Sequence, residues 1–519
     1  MQYENPVIKG FYPDPSIVRV DETNYYMATS SFEYFPGVPI FHSVDLVNWN
    51  QIGHALTRKK QLDLSNSPSS SGIYAPTLRY HDGTFYLITT DVRGIGNFYV
   101  TAQDPRGPWS DPIKITHGNI DPSLLFDEDG KVYVTVQNGA GLDSHVIQYE
   151  IDPQTGETLT EPVKIFDGDG GEWTEAPHLY NIHDLYYLLC ASGGTGSNHR
   201  AIIARSDQPY GPFELCDEPI LTHNQLPDHP IQALGHADIV EDSVGNWWAV
   251  FLATRPVQGK YTIFGRETFL APITWSEDGW PMIDSNVGTV NQLMESPNLT
   301  ATNIGKASGF FTDFTERKIL SKWSYLRYRK EDAYLLLCSR NGWLRLDGNK
   351  DTLDDPLGIP AFLVVPQTDI DIDVSTEILF LPEQDQEEAG LVARLNERAH
   401  YDLVIKRIKG ERYLIARQTI GGDSVVLESV PINAENIKLK FSIDQDDYYF
   451  WYQEKDQQWI QLAKSPLKYL SVELNGGTGG VFTGVMLGLY ATGNGQDSTT
   501  PAYFDWFKIE PQQKMNHKR

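Results

Sequence analysis

The stretch DPSLLFDEDGKVY, residues 121–133, opens on an acid, runs through an apolar strand and a polar turn, and ends on an aromatic strand. Four other segments share that layout: DPSIVRVDETNYY (14–26), APTLRYHDGTFY (75–86), APHLYNIHDLYY (176–187) and HADIVEDSVGNWW (236–248). Their opening residues are Asp14, Ala75, Asp121, Ala176 and His236, and their aromatic ends are Tyr26, Tyr86, Tyr133, Tyr187 and Trp248. Opening and end are separated by 11 or 12 residues every time. Successive openings lie 46 to 61 residues apart, slightly longer than the roughly 40 to 50 residues of common propeller blades. Long helical periodicity is nearly absent elsewhere, so the chain reads as all-β, with a five-bladed β-propeller at its start.

In a propeller the innermost strands face one shared axis. Taking each opening together with the residue before it, the repeat predicts an axial ring of Asp14, Tyr74, Asp121, Glu175 and His236. Three of these are carboxylates. In GFYPDPS (10–16), Asp14 stands between two prolines; each proline fixes its own φ, and Pro15 predicts an extended conformation for Asp14. Read singly, each acid is equally a strand-entry residue bonded to local amides. Their shared register favours a common role.

Composition narrows that role. The 519 residues predict two or three domains, and 40% hydrophobic with 21% charged residues describes a folded globular chain. The formal charge of −27, from 69 acids against 42 bases, disfavours nucleic acid and anionic membrane as partners and leaves neutral or cationic ones. No run approaches the roughly 20 apolar residues of a membrane span, and MQYENPVIKG lacks the basic and apolar regions of a secretory signal, which predicts a cytoplasmic protein. Cys190, Cys216 and Cys338 are few and far apart, without metal-ligand spacing, and are expected to be buried thiols. Aromatics at 12% suit a β protein and also suit stacking on sugar rings.

Paired acids in a cleft are the machinery of glycoside hydrolysis, one protonating the leaving oxygen while the other activates water or attacks the sugar. Glu175 in WTEAPHLY reaches one methylene further than an aspartate and suits the proton donor; Asp121 beside it would raise its pKa; Asp14 suits the base. His236 in GHADI is open between a core histidine and a ligand. Arg266 in GRETF is open between an ion pair with Glu267 and a donor to sugar hydroxyls.

GFYPDPS, NIDPSLLFDEDG, TEAPHLY, SGGTGSNH, GHADI and GRETF, in this order, resemble the β-xylosidases of glycoside hydrolase family 43, and GGVFTGVMLGLYATG through AYFDWFKIE resembles the family's C-terminal β-sandwich. The resemblance implies a five-bladed propeller that hydrolyses a single exposed sugar end with inversion and needs no cofactor. It implies Asp14 as general base, Glu175 as general acid and Asp121 as the residue that tunes and orients that acid. It also implies Arg266 and Thr195 as sugar contacts and Phe32 as an aromatic wall, the last also readable as a core phenylalanine. His236 matches an axial histidine that in some members coordinates a divalent cation, often calcium. That ion takes six to eight oxygens, so most of its ligands would have to be water. One departure stands out: SGIYAPTLRY supplies Tyr74 where many members carry Trp, which implies a wider or more polar wall and some activity on α-L-arabinofuranosides.

Residues 1–290 are expected to form the propeller, 291–307 a linker, and 308–519 an antiparallel jelly-roll, concanavalin-like sandwich. The resemblance has the sandwich send a loop to the pocket, with Phe482 closing it; a place in the sandwich core is the other reading of Phe482. The expected function is an exo-acting inverting β-1,4-xylosidase acting on xylo-oligosaccharides. The alternatives are an α-L-arabinofuranosidase or bifunctional enzyme, a retaining fructan hydrolase, and a non-catalytic sugar-binding propeller. Family members are often dimers or tetramers, and the sequence does not choose between these.

Overall fold

A computed structural model describes residues 1–284, 287–296, 298–305, 309–316, 321–327, 342–455 and 457–512. The chain is all-β and divides into two compact units: residues 1–259 with 265–304, and residues 260–264 with 305–519. Cys190 is buried and Cys216 half-buried, whereas Cys338 lies outside the described residues.

The first unit holds five consecutive antiparallel sheets, the blades. Their innermost strands are Ser16–Arg19, Thr77–His81, Ile120–Phe126, Glu175–Ile182 and Gln232–Glu241. The second strands are Tyr25–Ala28, Thr84–Asp91, Val132–Asn138, Leu185–Ser192 and Trp247–Thr254. The repeat appears in the strand register itself. Each aromatic end pairs with the residue four places after its blade's opening: Val18 with Tyr26, Arg79 with Tyr86, Leu125 with Tyr133, Tyr180 with Tyr187, and Val240 with Trp248.

The cores lie between blades. Ile182, Leu189 and Ile203 of the fourth blade pack with Ile239, Phe251 and Phe269 of the fifth. Ile17, Met27 and Phe41 of the first meet Val240, Trp248 and Val250 of the fifth, which closes the ring. Polar bonds reinforce the closure. The Asn5 side chain donates to the Leu270 carbonyl and accepts from its amide, both at 2.9 Å, and Gln2–Glu4 pairs with Leu293–Glu295.

One local expectation fails. Asp14 is not extended but left-handed, with φ of 55°, and the same conformation recurs at Asp121 (55°), Ala176 (51°) and His236 (49°). In the third, fourth and fifth blades the strand register slips just there, between Ile120 and Ser123, Glu175 and His178, and Gly235 and Asp238. These are β-bulges, which bend a strand and re-aim a side chain. Left-handed φ is costly for residues other than glycine and is held by surrounding bonds, so the propeller geometry outweighs the local bias that Pro15 imposes.

The second unit contains two antiparallel sheets. One includes Ile372–Leu379, Asn436–Ile443, Asp447–Glu454, Ile460–Pro466 and Ala502–Pro511; the other includes Ala361–Pro366, Glu388–Asn396, Ala399–Ile408, Glu411–Ile420, Asp423–Pro431 and Met486–Thr492. Asn436–Ile443 alternates buried and half-buried residues along its length, the pattern of a strand with one face on a core. Residues 260–264 belong to this unit through local bonds: Val472 and Val485 amides donate to the Thr262 and Ile263 carbonyls at 3.0 and 2.9 Å.

Candidate active site

The bulged openings gather the predicted acids. Asp14, 4% exposed, accepts a hydrogen bond from Arg266 Nη1 at 3.0 Å and another from the Ser30 hydroxyl, and His236 Nδ1 lies 3.6 Å from the same Oδ1 that faces Arg266. Burial alone would raise the Asp14 pKa; the Arg266 guanidinium, His236 and the Ser30 hydrogen bond together hold it below the usual carboxylate range. Asp14 is therefore ionised at neutral pH.

Glu175 is placed oppositely. Burial first, and then the charges of Asp121 and Asp14, push its carboxyl well above the ordinary value, against a smaller opposing effect of Arg266. Asp121 is pushed up to about 6, chiefly by burial, while His236 and a hydrogen bond from the Ala176 amide pull it down. That amide, at 3.2 Å from Asp121 Oδ2, follows Glu175 directly in the chain. Asp121 and Glu175 titrate as a pair, and the pair resists double ionisation. The cluster thus sets a carboxylate clamped by a guanidinium and held below its ordinary pKa beside a carboxyl pushed above its own, the opposed shifts that a base and an acid working at one pH require.

An aromatic wall stands beside them. Arg266 Cζ lies 5.5 Å over the Phe32 ring, and Phe32 contacts Tyr74 at 5.1 Å and Phe11 at 5.7 Å between centroids. Phe32 is only 2% exposed, so it supports the wall from behind as a core residue does. The Tyr74 hydroxyl donates to the Ser70 carbonyl at 3.2 Å. Arg266 pairs with Asp14 at 3.0 Å, and Glu267 pairs with Arg255 at 2.6 Å. Thr195 is half-buried on the 193–196 turn, which the Gly193 amide ties to the Glu172 carbonyl at 2.7 Å. Phe482 is half-buried within the second unit.

Among the described residues no three His, Cys, Asp or Glu side chains cluster as a metal site. His236 offers one nitrogen, and its nearest carboxylate, Asp14, is paired with Arg266. This donor set does not fit a calcium ion held by protein oxygens.

A second polar tier went unread in the sequence. Two places after each opening come Ser16, Thr77, Ser123, His178 and Asp238. Asp238, fully buried, accepts bonds from the Ser16 hydroxyl (2.6 Å), the Ile17 amide (3.0 Å), Arg79 (2.9 Å) and the Tyr180 hydroxyl. His178 Nδ1 lies 3.0 Å from Arg79 Nη2, and burial lowers its pKa to about 3, so it accepts from the guanidinium as a neutral ring. Four blades are thereby tied across the axis by one carboxylate. Polarity at the second place after all five openings was the available signal. Ser30, which caps Asp14, carried none.

The family model for glycosyl hydrolases family 43 matches residues 3–281, and that for the β-xylosidase C-terminal concanavalin A-like domain matches residues 312–510. A non-reducing end α-L-arabinofuranosidase of Bacteroides ovatus is 42% identical over 97% of this chain and 94% of its own length. A xylosidase/arabinosidase of Butyrivibrio fibrisolvens is 36% identical over 98% of this chain and 99% of its own. The crystal structure of a xylan β-1,4-xylosidase from Bacillus halodurans superposes with a TM-score of 0.91 at 34% identity, covering 98% of this chain and 100% of that one.

Proposed function

Because this chain belongs to glycoside hydrolase family 43, and is thus a glycosidase, we propose that its propeller site releases terminal β-D-xylose from the non-reducing ends of xylo-oligosaccharides with inversion of configuration. The observation that carries this reading is the gathering of three buried carboxyls at the blade openings, with Asp14 clamped by Arg266 and Ser30 and Asp121 bonded to the amide that follows Glu175; the same surroundings lower the Asp14 pKa and raise that of Glu175. In the proposed reaction Glu175 gives its proton to the glycosidic oxygen as that bond breaks. Asp14 takes a proton from the water that attacks the anomeric carbon on the opposite face. Asp121 raises the Glu175 pKa and, through the Ala176 amide, fixes the backbone from which Glu175 projects. Arg266 holds Asp14, and in this reading it also donates to the terminal sugar's hydroxyls.

Proton NMR of the first product checks the stereochemistry: α-xylose appearing first is the expected result, and β-xylose would make the second carboxyl a nucleophile. Tyr74 favours a second substrate, a terminal α-L-arabinofuranoside, because its hydroxyl is engaged by Ser70 and a ring smaller than tryptophan lines the wall. Rates on aryl β-xyloside and aryl α-arabinofuranoside are expected to be both measurable, with the xyloside ahead; an arabinofuranoside preference above tenfold would reverse the order.

Ser30 supplies a prediction of its own. Its hydroxyl stabilises only the charged form of Asp14, so Ser30→Ala should raise the Asp14 pKa and move the acid limb of the kcat/KM profile to higher pH. The basic limb should stay in place. An unmoved acid limb would detach Asp14 from that ionisation.

A further inference from the structure

Two residues before Glu175 the chain exposes a tryptophan. Trp173 is 37% exposed and has φ of 57°, a left-handed conformation uncommon for a bulky side chain. A single exposed aromatic is ordinary on a protein surface. Here the backbone is bent at some cost to keep it there.

The segment that carries Trp173 is locked from several sides. Its amide donates to the Gly141 carbonyl at 2.9 Å. Just upstream, Asp169 pairs with Arg200 at 2.6 Å, accepts from the Ser192 hydroxyl at 2.6 Å, and takes the Gly171 amide at 3.1 Å. The indole lies against the Gly193–Gly194 turn: a Cβ added to Gly194 would sit 3.5 Å from Trp173 Cδ1, and both glycines have positive φ (89° and 67°). Thr195 follows in the same turn. Two residues span at most about 7 Å of chain, so the Trp173 backbone is an immediate neighbour of the acid. An exposed indole held against the Gly193–Gly194 turn, two residues along the chain from Glu175, offers a preorganised face for the C–H side of a sugar ring.

Resting on the glycosidase reading above, we propose that Trp173 is the stacking platform for the leaving-group sugar. The proton from Glu175 goes to the oxygen that departs with that sugar, so the leaving ring must lie on the acid's side of the pocket. Trp173 leaves the chain two residues before that acid and rests against the turn that carries Thr195. The ligand class is a neutral pyranose or a comparable flat aglycone, which also suits a strongly acidic protein.

The test compares two substrates with the same terminal xylose, xylobiose and β-xylosyl fluoride, whose leaving group is one atom. In Trp173→Ala, kcat/KM for xylobiose should fall about tenfold, mainly through KM, while turnover of the fluoride stays at the wild-type level and certifies the fold. Trp173→Phe should recover most of the loss. Equal losses on both substrates, or none on xylobiose, would overturn the proposal. If the wild type turns over the fluoride but not xylobiose, the leaving-group platform fails while the glycosidase reading stands; if it turns over neither, both fail.

Discussion

Asp14→Asn is expected to lower kcat on xylobiose about a thousandfold or more, within the range by which a positioned general base accelerates a reaction. The side chain keeps its size, and its carbonyl oxygen can still accept from Arg266 or Ser30, so the fold and the sugar contacts should survive. What disappears is the negative charge that takes the proton from water. Sodium azide, a nucleophile that needs no such proton transfer, should restore part of the rate and yield xylosyl azide of inverted configuration. A variant that keeps a tenth of wild-type kcat would remove Asp14 from the base role. Loss of activity without azide rescue would point to structural damage, which circular dichroism and melting would reveal.

The sequence exposes the blades because their register is periodic, and periodic register is what a linear reading detects. All five aromatic ends pair four places beyond their openings, so the alignment made on residue type was already an alignment of strands. The carboxylates came with it, being at or next to the openings. The bulges did not. Proline rules describe a residue's local preference, and local preference points Asp14 to an extended conformation, whereas closure of the ring imposes φ of 55°. The second blade shows the same point from the other side, since Ala75 is not left-handed and the Tyr74 amide donates a hydrogen bond to the Thr90 carbonyl at 2.9 Å.

The axial tie was hidden for a different reason. Asp238 meets Ser16 across 222 residues and Arg79 across 159, and no spacing rule brings such partners together. A buried carboxylate with this many donors is costly to strip of one partner, so the tier fixes the blades on which the acids above it depend. Glu175 stood out in the sequence only through the resemblance and its phase, one place before Ala176. The bulge at Ala176 accounts for that phase, because the strand register slips immediately after Glu175.

Glu175→Gln should be the more revealing substitution, because it separates proton donation from everything else the residue does. On xylobiose, whose leaving sugar must be protonated, kcat is expected to fall about 10⁴-fold; on a dinitrophenyl β-xyloside, whose phenolate leaves unaided, the loss should be far smaller. The basic limb of the pH profile should vanish, since it reports the proton that glutamine lacks. Stability should move the other way. The Glu175 pKa is raised in the folded state, so at pH values between its ordinary and its folded pKa the native chain holds a proton that the unfolded chain has released. Stability from this group is thus present at low pH and is lost as pH rises through that window. Asp121 contributes in the same direction and Asp14 in the opposite one; both remain in the variant, and because Asp121 titrates together with Glu175 the comparison reports the proton that the pair holds. The glutamine variant should melt higher than the wild type at pH 8 and close to it at pH 4. A melting difference that does not change with pH would mean that Glu175 is not held protonated by the fold, and the acid assignment would lose its physical basis.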